Sequence, residues 1–232
     1  MTLSERFDIP AFARTCIEAA GNSWGASFEH PFVLALADGS LSAERFRYYQ
    51  MQDARYLEGF SDAAAQISLR CPDPSDKLWF IDAARMALVV EGELHAGYGR
   101  RLGYTPEDIA TMELGPVTRA YRDHMLVAAQ TGTLVEAVAA LTPCPWLYTD
   151  LGQHVLQRIG SIPTDHPYAD WLALYSSADF SDYMQRLLEL LQRAADAADN
   201  AARSRALVAF HASARYEWAF WEQAWQQQTW PV

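Results

Sequence analysis

Three polar residues stand in stretches otherwise built for a core. Cys144 lies in Pro143-Cys144-Pro145-Trp146-Leu147-Tyr148, between helical apolar runs of Leu134, Val135, Val138 and Ala139 before it and Leu151, Val155, Leu156 and Ile159 after it. Proline inside a helix removes an N–H and crowds the preceding turn, so the helix must kink or break at Pro143 and Pro145. A thiol beside such a break is either an inert core cysteine or a nucleophile, and Tyr148 shares its face one turn on. Asp53 sits among Tyr49, Tyr56, Leu57 and Phe60 on the inward face of a helix. A buried carboxylate must be paired, so Asp53 is a cap or ion-pair partner, or it accepts hydrogen bonds from a ligand amine. Glu217 stands in Tyr216-Glu217-Trp218-Ala219-Phe220-Trp221. It is either an exposed residue of an amphipathic helix or a buried carboxyl whose apolar setting suits acid–base work.

The elements that must hold these groups are helices. Apolar residues recur at three- and four-residue intervals, and neither alternating strand patterns nor Asn-Gly hairpin turns occur. The periodicity predicts helices over 10–24, ending near Gly21 to Gly25, and over Phe28 to Ala37, stopped by Asp38-Gly39. Ser42 caps a long helix through about Leu69 that carries Asp53. Asp73 caps the next, with Pro74 first, running to about Leu102; Thr105-Pro106 opens a short one in the same way. Further helices span about Val117 to Gln130, then the kinked Cys144 helix from Thr133 to near Gly160, then Trp171 to Tyr175. Ser177 caps one from Asp179 to Ala198, and the last runs from Arg203 to Gln228 with Glu217 on it. The expectation is a single all-α domain over residues 1–232, a bundle of about eight to ten helices.

Composition narrows the function. With a net charge of −11 the chain repels phosphate backbones, which argues against a nucleic-acid partner. Nothing approaches the ~20 apolar residues of a membrane span, and Met1-Thr2-Leu3-Ser4-Glu5 has no basic-then-apolar signal pattern. Cys16, Cys71 and Cys144 are far apart and odd in number, which fits a reducing, cytoplasmic setting. Eight Trp, eleven Tyr and ten Phe supply either a thick core or a pocket for a flat ligand. Glu91 and His95 share a helix but lack the Glu-x-x-His spacing repeated on two helices that a di-iron bundle uses, so no metal is expected. His30, before Pro31, caps or packs.

Taken in order, the motifs resemble the TenA/thiaminase II family. Phe28-Glu29-His30-Pro31-Phe32, Asp38-Gly39-Ser40-Leu41, Phe46-Arg47-Tyr48-Tyr49 and Gln52-Asp53-Ala54-Arg55-Tyr56-Leu57 resemble its N-terminal signature. Pro143-Cys144-Pro145-Trp146-Leu147-Tyr148 with Leu151-Gly152 resembles its catalytic helix; Tyr216-Glu217, Phe220-Trp221 and Trp230 resemble its last helix. The resemblance implies a heme-oxygenase-like fold, a cytoplasmic homotetramer with no metal, no heme and no other cofactor, and membership of the cysteine-containing branch. It implies hydrolysis of the small molecule 4-amino-5-aminomethyl-2-methylpyrimidine to the hydroxymethylpyrimidine and ammonia, and in many members of thiamine, in thiamin salvage. On that resemblance Cys144 is the nucleophile and Glu217 the proton donor. Asp53 holds the ring nitrogen and exocyclic amine, Tyr56 and Tyr121 help activate the thiol, Tyr148 and Tyr175 contact substrate, and Phe220 joins the aromatic wall. The alternative is a non-catalytic or regulatory ligand-binding member of the same fold.

Overall fold

A computed structural model describes residues 8–232, with the side chains of residues 90 and 91 excepted. The reading of Met1 to Glu5 and the Glu91 side chain therefore lie outside the described residues. Twelve helices and no strand occur among the described residues, so the all-α expectation holds. The helices begin where local chemistry satisfies their first N–H groups. The Ser42 hydroxyl accepts from Arg45 N at the start of α4 (Ala43–Ser68). Asp73 accepts from Ser75 N and Asp76 N at the start of α5 (Pro74–Leu102). A Thr105–Asp108 capping box opens α6 (Pro106–Thr111). Ser177 accepts from Phe180 N ahead of α11 (Ala178–Asp196). His30 caps α3 (Pro31–Asp38): its Nδ1 accepts from Phe32 N at 3.1 Å, while Nε2 lies 3.1 Å from Glu222.

Several boundaries differ from the sequence expectation, each for a local reason. The helix expected over 10–24 is two, α1 (Ala11–Ala20) and α2 (Asn22–Phe28), because Gly21 takes φ +53°, a left-handed conformation that breaks the ladder. That second helix absorbs Phe28, so α3 begins only at Pro31. Proline also takes the first position of α7 (Pro116–Thr131), where its missing N–H costs nothing. Asp199, whose carboxylate accepts from Ala202 N at 2.7 Å, starts α12 (Asn200–Gln226) earlier than the expected Arg203. The helix of Trp171 begins two residues sooner, as α10 (Ala169–Tyr175).

The proline pair divides the expected kinked helix into α8 (Leu134–Leu141) and α9 (Pro143–Ile159). Thr142 keeps right-handed helical angles, φ −60° and ψ −38°, so the chain path continues while the ladder is interrupted. Neighbouring side chains take up carbonyls around the gap. The Thr142 hydroxyl donates to Val138 O and Thr149 to Pro145 O, each at 2.7 Å. Ser213 on α12 donates to Ala140 O at 2.7 Å. That last bond clips α12 to the break, and Glu217 follows Ser213 by one helical turn.

Around this junction α4 packs against α5 and α7, and α12 against α8. Trp146, on the α9 face away from the cavity described below, is fully buried between Trp24 and Phe210. Helix α10 lies close on α9: a Cβ added at Gly152 would fall 2.6 Å from the carbonyl carbon and oxygen of Tyr175. Replacing Gly152 by Ala is therefore expected to push α10 away from α9, lowering stability by about 1–3 kcal/mol and shifting Tyr175. Thermal unfolding of G152A measures the first effect, and its ligand affinity the second.

Candidate active site

Asp53, Cys144, Tyr148 and Tyr175 line one cavity of about 360 Å³, within the size range of small-molecule sites. Its walls are otherwise apolar and aromatic, with Leu57 and Phe60 from α4, Ala83 and Ala87 from α5, and Phe180 and Tyr183 from α11. Met86 and Asp179, both exposed, mark where it meets solvent. Cys144 is half-buried at the start of α9. Tyr148, one turn on, lies 3.0 Å from the Tyr49 hydroxyl, which accepts in turn from Trp171 Nε1 at 3.2 Å. Its ring packs against Trp171, Tyr175 and Trp221. Such a frame fixes the ring rather than leaving it to turn.

Tyr56, Tyr121, Glu217 and Phe220 do not line the cavity; they form a buried layer behind it. Tyr56 neighbours the Cys144 thiol and packs its ring 4.9 Å from that of Tyr121, and its hydroxyl donates to Met125 Sδ at 3.3 Å. Tyr121 donates to Glu217 Oε1 at 2.7 Å. A row of neighbouring side chains thus runs from the thiol to the carboxyl across α9, α4, α7 and α12, with the Tyr121–Glu217 hydrogen bond at its far end. Phe220 closes it from above, its ring 5.8 Å from Tyr56 and 6.0 Å from Tyr49. Burial pushes the Tyr56 and Tyr121 hydroxyls well above their ordinary range, with the neighbouring Cys144 and Glu217 charges adding to it, so both remain donors at neutral pH. Burial also raises the Glu217 carboxyl, to about 8; the Tyr121 bond pulls it back and the Asp53 charge pushes it further up. A carboxyl with that value carries a proton at neutral pH and can deliver it. Glu217 is 2 % exposed, which sets aside the exposed-helix alternative.

Asp53 has an ion-pair partner: His95 Nε2 on α5 lies 3.3 Å from its Oδ2, and both side chains are buried. The sequence pairs His95 with Glu91 along one helix and sets the pair aside. Spacing within a helix carries no sign of a partner across the α4–α5 seam. Phe180 and Tyr183 were missed for another reason. They sit on an amphipathic helix and read as core, with no polar neighbour to single them out.

The sequence profile of the TENA/THI-4/PQQC family matches residues 18–227. The chain belongs to this family. Over 223 residues it is 32% identical to the aminopyrimidine aminohydrolase of Halalkalibacterium halodurans, covering 95% of this chain and 98% of that one. Its fold superposes on the TenA homologue of P. horikoshii OT3 with a TM-score of 0.85 at 30% identity, covering 94% of this chain and 99% of that one. A Shewanella denitrificans domain of unknown function with a heme oxygenase-like fold matches at a TM-score of 0.69 and 11% identity, over 92% of each chain, and shares the fold. The heme-oxygenase-like expectation therefore holds for this TENA/THI-4/PQQC member.

The raised Glu217 carboxyl has a sign for stability. The folded protein holds its proton to about pH 8, whereas an unfolded glutamate releases it near pH 4.3. The folded state binds the extra proton between those values, so stability falls as pH rises through that window. Asp150, buried against Trp24 Nε1 and raised well above the carboxylate range by burial, acts in the same direction. Thermal unfolding between pH 5 and pH 9 is expected to show a declining Tm for the natural protein. The decline should be shallower for E217Q, and shallower again when D150N is added.

Proposed function

We propose that this protein hydrolyses thiamin-type aminopyrimidines with Cys144 as nucleophile and Glu217 as proton donor. The carrying observation is that Cys144 and Asp53 line one aromatic cavity, with the Tyr121–Glu217 hydrogen-bonded pair and Tyr56 buried behind the thiol. The protein is an aminopyrimidine aminohydrolase, the activity named for the halodurans relative. An aminopyrimidine is a flat, electron-poor ring, which the aromatic walls can sandwich near the sulfur. The Cys144 thiolate adds to the ring carbon beside the aminomethyl-bearing carbon, and the electron pair moves onto a ring nitrogen. Glu217 protonates that nitrogen, and Asp53 accepts hydrogen bonds from the ring and its exocyclic amine. The electron pair then returns to expel the 5-methylene substituent as ammonia, or as the thiazole when thiamine is the substrate. Water adds to the exposed methylene and the thiolate leaves, restoring the ring as the hydroxymethyl product. Tyr56 and Tyr121, packed between thiol and acid, help activate the thiol. Tyr148, Tyr175 and Phe220 hold the ring's plane.

The wider reading is a single domain that assembles as a homotetramer and works in thiamin salvage. An exposed apolar stripe on α5, Leu78, Ile81 and Leu88, supports assembly. Three free cysteines support a reducing cytoplasm. Among the described residues no helix is long and apolar enough to cross a membrane.

Purified protein given 4-amino-5-aminomethyl-2-methylpyrimidine and thiamine side by side is expected to release ammonia and hydroxymethylpyrimidine from the amine, and the two rates decide which is the better substrate. C144A is expected to lose turnover while keeping its melting temperature, and E217Q to lose about 10²- to 10⁴-fold in rate. Substantial turnover by C144A would sink the nucleophile assignment. Binding without turnover by the natural protein would favour a regulatory role instead.

A further inference from the structure

His95 is a buried imidazole, 3 % exposed, and neither ring nitrogen makes a well-aligned hydrogen bond among the described residues. Buried polar groups are rarely left so, and exceptions cluster where a protein does chemistry. Among the described residues its one close polar approach is Nε2 to Asp53 Oδ2 at 3.3 Å. Asp53 belongs to the cavity wall, whereas His95 lines an adjoining groove that shares Leu57 and Ala87 with the cavity and adds Glu58, Ala96, Arg100 and Tyr104. The pair therefore spans the α4–α5 seam between the two hollows. The backbone under His95 is held as well: the Tyr104 hydroxyl donates to His95 O at 3.0 Å. On α4, Gln50 precedes Asp53 by one turn and is also fully buried, with neither amide atom hydrogen-bonded among the described residues. Among the described residues the polar contact to the Asp53 carboxylate comes from α5.

We propose that His95 is a positioning residue that engages one oxygen of the Asp53 carboxylate from behind and so turns the other toward the aminopyrimidine. A carboxylate free to rotate in an apolar wall presents its acceptor oxygen to the ligand only part of the time. With Oδ2 held by a ring nitrogen, Oδ1 faces the cavity in the bound geometry before the ligand arrives, and the ordering cost of binding falls. The histidine touches no substrate atom. Its effect acts through Asp53, on an interaction present in both the ground state and the transition state, so it appears in KM more than in kcat.

This inference rests on the aminopyrimidine reading of the cavity, and its tests separate the two. If the natural protein hydrolyses neither pyrimidine, the activity reading fails, while the spectrum described below still decides the pair. In the active protein, H95A is expected to lose about 10- to 100-fold in kcat/KM for the aminomethylpyrimidine, with kcat changed by about threefold or less. H95Q, which keeps an N–H near the same place, should recover about tenfold of that loss. Imidazole added to H95A, entering by the outer groove, should recover part of it too. A merely structural histidine would be rescued by neither. In a double-mutant cycle H95A should add less than about twofold to the loss in D53N, because the two act as one unit. Independently of activity, the imidazole nitrogen spectrum of the natural protein should show a downfield Nε2–H proton that disappears in D53N. An H95A protein with unchanged kcat/KM, losses that multiply in the cycle, or a His95 ring signal indifferent to D53N would each overturn the proposal.

Discussion

The structure depends on two missing hydrogens. Pro143 and Pro145 have no N–H to give the carbonyls one turn earlier, so the ladder between α8 and α9 is interrupted at Thr142 while the path stays helical. An interrupted ladder in a protein core must be repaired by something nearby, since an unpaired buried backbone group costs about as much as a lost hydrogen bond. Ser213 reaches in from α12 to serve Ala140 within the interrupted turn, while Val138 O just before it keeps its backbone bond from Thr142 N. The repair has a geometric consequence. It ties α12 to the point where Cys144 emerges, so the turn of α12 after Ser213 brings Glu217 to the layer behind the thiol.

Once there, Glu217 is governed by desolvation. Its carboxyl is pushed up to about 8 by burial; the Tyr121 hydroxyl is a neutral donor and only partly compensates. The Asp53 charge works in the same sense, so the two carboxyls differ in role through their settings rather than their chemistry. Asp53 has an imidazole partner across the α4–α5 seam and a face on the cavity, whereas the Glu217 carboxyl is buried with a phenol as its hydrogen-bond donor. Tyr56 and Tyr121 are held as phenols by the same burial, and Tyr121 donates to the acid.

Close packing carries this arrangement outward. The aromatic frame of Tyr49, Tyr148, Trp171 and Trp221 is hydrogen-bonded at its hydroxyls and at one indole, and Gly152 allows α10 to approach near enough to place Tyr175 on the cavity wall. A side chain at that one position would separate the helices whose contact shapes the pocket.

Much of this was legible in the amino-acid sequence because it is local. The starts at Ser42, Asp73, Thr105 and Ser177 follow from side chains that satisfy N–H groups two or three residues away, and the break at Pro143 from a ring on the same residue. Cys144, Asp53 and Glu217 were conspicuous as polar groups at core positions, and their order matched a family pattern. What tertiary structure alone decided is everything that joins different helices. The division at Gly21 depends on a left-handed φ that no periodicity encodes. Equally invisible were the Ser213 clip, the layered position of Glu217 behind the cavity, the mouth supplied by α11 and the pairing of His95 with Asp53. Sequence spacing measures distance along one helix, whereas these contacts arise from how separate helices pack.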